Sequence, residues 1–196
     1  PSIYALDRTN MIIGGTARAY QRFTAPGLSA FSFESLPPAD FDGDNPPPAG
    51  SPGIIMRHID TEAHTEYTGY PTNDLLDMWA FDVDWNTPAN STFTRLPYIV
   101  ISEFNSDLNG YTAFSCFPQQ GSSTRLDPLR EVIMWRLQYR NFGTYETLTG
   151  NFVTDVGDYN DHGGIRWFEL RRVGAGAWSL YQEGTYAPDA HSRWMG

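Results

Sequence analysis

The densest set of chemistry-bearing side chains in this sequence is His58–Ile59–Asp60–Thr61–Glu62–Ala63–His64. Side chains alternate along an extended chain, so His58, Asp60, Glu62 and His64 would project from one face. Two imidazoles and two carboxylates on one face offer ligands for a transition metal such as zinc, or an acid/base pair. A flat strand sets the outer two ~20 Å apart, so the four reach one ion only if the chain bends. The plain alternative is a polar hairpin tip with solvated side chains.

A second constellation is Asp40–Phe41–Asp42–Gly43–Asp44–Asn45. Oxygens at alternate positions around a glycine resemble half of a calcium loop, because carboxylates converge where Gly allows a sharp turn. An EF-hand needs a bidentate Glu at loop position 12, and Ser51 stands there when Asp40 is first. Calcium held by Asp40, Asp42 and Asp44 would therefore sit in a free-standing loop. Asp-Gly and Asp-Asn pairs are also ordinary turn formers. The turn Asp155–Val156–Gly157–Asp158–Tyr159–Asn160–Asp161 is a weaker version of the same pattern.

Asn90–Ser91–Thr92 matches the acceptor triplet for N-linked sugar, a pattern that also arises by chance. There is no Gly-x-Ser-x-Gly elbow, and the Gly14–Gly15 pair lacks phosphate-loop spacing. Cys116 has no His nearby in sequence to activate it. It reads as a buried apolar thiol in AFSCF, or as half of a pairing completed elsewhere. Glycoside hydrolysis wants two carboxylates about 5–10 Å apart, and no pair is singled out.

Strands must position these residues. Trp-centred runs of alternating character recur at Leu75 to Trp85, Glu131 to Arg140, Gly164 to Val173 and Trp178 to Glu183. In the second, Trp135, Leu137 and Tyr139 share one face, with Arg136, Gln138 and Arg140 behind them. Further strands are expected at Ile54 to His58, Tyr98 to Phe104 and Asn151 to Val156, with a brief helix near Ala17 to Arg22. Aromatics at 15% mean a packed chain, and 18 Gly with 14 Pro mean many turns and few long helices. Proline density makes Pro37 to Pro52 a surface loop or a connection between sheet units. The expectation is a single all-β region over 1–196, built as propeller-like blades, with a β-sandwich as the alternative. In such sheets the Trp side chains are expected to pack inside, although exposed ones can stack sugar rings.

The formal charge is −10, and the 13 basic residues are all Arg, spread singly apart from Arg171–Arg172. That excludes the clustered cations of a nucleic-acid binder. No window approaches the ~20 apolar residues of a membrane-spanning helix.

The runs FTRLPYIVISEF, TRLDPLREVIMWRLQYRNFGTYETLTGNFVTDV and GGIRWFELRR…AWSLYQEGTYAPD resemble a family of exported bacterial proteins with a β-propeller-like domain. PPPAGSPG at Pro46 to Gly53 and DVDWNTPANSTF at Asp82 to Phe93 extend the resemblance over almost the whole chain. The resemblance implies an extracellular or cell-surface location and roughly the second half of a propeller. A half propeller exposes unpaired strand edges, so it would assemble with other chains or with copies of itself. The expected function is a structural or adhesive, non-enzymatic module, with calcium as its possible ion. The alternatives are a carbohydrate-binding module recognising glycans and a propeller-type glycoside hydrolase.

Overall fold

The computed structural model describes residues 1–28, 35–64, 72–134, 136–157 and 161–193. Its elements run β1 (Ser2–Ala5), α1 (Arg8–Ile12), β2 (Gln21–Thr24), β3 (Asp40–Asp42), β4 (Gly53–Ile59), β5 (Leu75–Asp82), β6 (Thr92–Arg95) and β7 (Ile99–Val100). They continue with β8 (Phe117–Gln119), β9 (Ser122–Leu126), β10 (Gln138–Asn141), β11 (Glu146–Asp155), β12 (Gly163–Arg172) and β13 (Ser179–Tyr186). The architecture is all-β, in several sheets of which none is closed.

Two larger sheets share one core. The first is β4–β5–β6, with β7 also on β5; Pro97, which has no N–H to give, lies in the break between β6 and β7. The second has the order β13–β12–β11–β10–β3, an up-and-down meander of four strands to which β3 adds in parallel. Ile54, Met56, Leu76 and Met78 of the first sheet pack with Leu148, Phe152, Phe168 and Leu170 of the second. Each such buried side chain contributes roughly 1.5–3 kcal/mol.

The Pro-rich connection ties the sheets at one side. Ala39 N–H donates to the Ile54 carbonyl of β4, and the next residue, Asp40, donates to the Leu137 carbonyl beside β10. At the other side, Glu183 of β13 accepts from Ser102 N–H (3.0 Å) and Ser102 Oγ (2.6 Å) just beyond β7. The outer side of β13 stays open: β12 is its one strand neighbour among the described residues.

Alternation fails as a rule for β5, whose first five residues are all buried. One face meets the shared core. The other is covered by the N-terminal segment, where Ile3 and Ala25 pack with Ile55, Trp79 and Phe81. A strand covered on both faces loses its polar side, except where charges pair, as Asp77 does with Arg57 (3.2 Å) and Arg95 (2.8 Å).

Other expectations are corrected in detail. The brief helix forms at Arg8–Ile12, where Asp7 caps Asn10, and Gln21–Thr24 is a strand paired with β1. Of the run Glu131 to Arg140, strand begins only at Gln138. Leu129 and Glu131 have positive φ (50° and 60°) and turn the chain while Ile133 and Met134 stay buried. Leu137 and Tyr139 face the core and Gln138 and Arg140 face out, while Trp135 lies outside the described residues. Only Ile99–Val100 of Tyr98 to Phe104 is strand. Cys116 is buried and free, its Sγ donating to the Leu108 carbonyl (3.2 Å).

Candidate metal centre

Where β4 ends, Asp60 turns the chain. Its Oδ1 accepts from the N–H groups of Glu62 (3.1 Å) and Ala63 (3.0 Å), and its Oδ2 from Ser106 N–H (2.8 Å) and Oγ (2.7 Å). Just before β5, Asp74 accepts from Thr61 N–H (2.9 Å) and Phe104 N–H (2.7 Å). Two buried carboxylates thus staple the 60–64 turn and the 104–106 segment to the sheet. One ligand atom each from Asp60, Glu62 and Asp74 lie within 4.8 Å of one another. Glu103 adds a fourth carboxyl, close enough to Glu62 and Asp74 for a proton to be shared between them. The group borders a cleft of about 560 Å³, whose lining includes Asp107, Tyr111 and Asp155.

The electrostatics are one-sided. Burial pushes the Asp74 carboxyl up to about 6, against the N–H bonds from Thr61 and Phe104, and Asp60 and Glu62 push it further the same way. Burial, then the charges of Asp74 and Glu62, hold Glu103 at about 7. Burial and the surrounding carboxylates lift Tyr111 to about 12. Among the described residues no guanidinium figures in the influences on Asp74 or Glu103.

A carboxylate offers about four lone-pair sites. Asp60 uses them all on turn and Ser106 donors, so it acts as a clamp. Glu62, Asp74 and Glu103 retain acceptor capacity toward an ion. An all-oxygen, carboxylate-rich set suits a hard cation, calcium before zinc.

The His-Asp-Glu-His stretch is divided between two environments. His58 lies inside the core, stacked on Phe152 (3.9 Å between rings) and edge-on to Phe104 (5.4 Å). Neither of its ring nitrogens has a hydrogen-bond partner among the described residues, and burial drives its pKa down to about 3. His64 is buried against the Glu131 carboxylate. Asp60 and Glu62 alone reach the cluster. The chain does bend, but the bend separates the imidazoles from the carboxylates.

The Asp40–Asp44 segment is occupied differently. Asp40 and Asp42 lie on β3, where the Arg136 guanidinium binds Asp40 and, at 2.6 Å, both oxygens of Asp42. Asp44 is exposed beyond Gly43, whose φ of 92° makes the turn. In the third candidate, Asp155 holds the N–H groups of Gly157 and His162 (both 2.9 Å) and borders the acidic cleft; Asp158, Tyr159 and Asn160 lie outside the described residues. Asn90 is exposed and donates to Asp84 (3.3 Å).

Two members of the cluster, Asp74 and Glu103, escaped sequence reasoning. Each lies far along the chain from Asp60, and only sheet pairing brings them together. The available signal was modest: Asp74 directly precedes the apolar Leu75–Leu76 pair, and a carboxylate there must be stapled or buried. No protein family, curated protein or solved structure matches this chain.

Proposed function

We propose that this chain is a structural, non-enzymatic β-sheet module of the cell exterior. A calcium ion on Glu62, Asp74 and Glu103 ties its loops to its sheets, and it joins other chains through its free sheet margin. The observation that carries the reading is the convergence of carboxyl groups around a partly buried point where, among the described residues, none of them forms an ion pair with an Arg or His. Without an ion, Glu103 keeps the cluster together by sharing protons with Glu62 and Asp74. A divalent cation would replace those protons and remove the repulsion.

Two features of the fold support the assembly part. The β10–β13 meander has the four-strand order of a propeller blade, and it packs face to face on the smaller β4–β5–β6 sheet, in which β7 returns to β5. The outer edge of β13 carries no Pro, and its interruptions are the Glu183 charge and a register shift against β12. No helix among the described residues is long and apolar enough to cross a membrane.

A second reading, acid/base hydrolysis of a glycoside, draws on the raised Glu103 carboxyl beside Asp74. Against it, Asp74 is fully buried and its oxygens already hold backbone N–H groups. Thermal unfolding with calcium and with chelator tests the proposal, using a Glu62→Gln/Glu103→Gln variant as control. Calcium should raise the melting temperature of the native chain and leave the variant unmoved. Release of sugar from polysaccharides, lost in Glu103→Gln, would favour the second reading.

A further inference from the structure

The outer face of the five-stranded sheet, turned away from the shared core, is built unlike the rest of the surface. Along β12 the outward side chains are Ile165, Trp167, Glu169 and Arg171, while Phe168 and Leu170 point into the core. Trp167 stays 37% exposed. Its cross-strand partner on β13 is Gly184, and a Cβ there would lie 2.9 Å from the indole. The ring therefore lies against bare backbone, which only glycine permits, and turns its other side outward.

Around this ring the polar side chains are planar or short. Asn151, paired across the ladder with Trp167, has an Oδ1 that is covered yet has no hydrogen-bond partner among the described residues. Gln138, Thr149 and Gln182 line the same trough of about 260 Å³. It continues, through Gln138, Thr149 and Glu169, into a second trough of about 520 Å³ toward Phe142 and Tyr145. Trp167 and Arg171, four residues apart on β12, set its length at ~13 Å. That holds more than one sugar ring.

The charges on this face cancel. Arg136 is held by Asp40 and Asp42, and Arg171 by Glu169 (2.6 Å) while it stacks on Tyr181 (3.3 Å). Arg140 completes three guanidinium groups against three carboxylates. An anionic polymer finds no net attraction here, and an apolar peptide finds too many polar side chains. A neutral sugar chain fits both halves of the surface. Its C–H face matches an outward indole, and its hydroxyls match amides that donate and accept together.

The geometry points to a binding site for a neutral oligosaccharide on this face, centred on Trp167 and independent of the acidic cleft. The test uses the full chain with beads of cellulose, chitin, xylan and mannan, and with the soluble hexasaccharide of each. The inference expects retention on at least one of them. Trp167→Ala and Asn151→Ala should each weaken the hexasaccharide affinity tenfold or more, while calcium and the Glu62→Gln/Glu103→Gln variant leave it unchanged. Gly184→Val, which lifts the indole, should do the same as Trp167→Ala. Thermal melts of each variant separate lost binding from lost folding, with Asn151→Ala as the mildest. No retention on any of the four polymers would overturn the inference. So would binding indifferent to Trp167 and Asn151, binding only to anionic polymers that salt abolishes, or a face that light scattering finds covered by a second copy.

Discussion

Two acidic segments of this chain meet opposite fates. Asp40 and Asp42 stand two residues apart on β3, and the Arg136 guanidinium lies across both. Asp60 and Glu62 have the same spacing, yet they meet Asp74 and Glu103, so carboxylate faces carboxylate. The difference teaches that spacing along a chain does not decide whether acids form an ion site. What decides it is which residue the neighbouring strand delivers: Arg136 stands two residues before β10, where Asp74 directly precedes β5.

The strongest way to break the contrast is at its most connected member. Asp74→Ala removes the acceptor for Thr61 and Phe104 N–H groups, which leaves buried donors without partners. The loss should be about 3 kcal/mol in urea unfolding. Adding calcium should act nearly as strongly in the other direction. A free concentration a hundredfold above Kd stabilises by about 2.7 kcal/mol, roughly 5–10 °C for a chain of this size. Glu62→Gln/Glu103→Gln should erase that gain and raise the ion-free stability, because it removes repulsion.

The pH dependence sharpens the contrast further. Asp74 and Glu103 are raised to about 6 and about 7, so the folded chain holds more protons than the unfolded one between about pH 4 and 7. Their contribution therefore falls as pH rises through that window, and calcium should abolish the fall. His58 acts oppositely. Its pKa is depressed to about 3, so the unfolded chain binds the extra proton below about 6.5 and stability drops as pH falls. His58→Phe keeps the stack with Phe104 and Phe152, and its advantage over the native chain should widen from pH 7 to pH 5 in denaturant melts.

The smallest effect belongs to the compensated segment. Arg136→Gln should cost at most about 1 kcal/mol, because the ion pairs are partly exposed. It should also leave Asp40 and Asp42 facing each other unscreened, and a weak second calcium event should then appear in calorimetry.

Much of the frame was legible in the sequence. The run at Ile54 to His58 lies within β4, and those at Asn151 to Val156 and Gly164 to Val173 lie within β11 and β12 apart from Val156 and Val173, because strand patterning is local information. The two-sided burial of β5 was not legible, since it depends on the N-terminal segment lying over Trp79. Half of the cluster was visible as Asp60 and Glu62. The other half was hidden because Asp74 and Glu103 arrive through long-range pairing and carry no periodic signal. Trp79 met the expectation of packing, while Trp167 escaped it because Gly184 opposite makes room for the ring on the outer face.

Calcium titration calorimetry of the full chain at pH 6 and pH 8, in buffers of different ionisation heat, reaches the central claim most directly. The account predicts one site per chain, proton release at pH 6 that fades by pH 8, and no binding in Glu62→Gln/Glu103→Gln. Absence of any heat at millimolar calcium, with melting indifferent to both calcium and chelator, would contradict it.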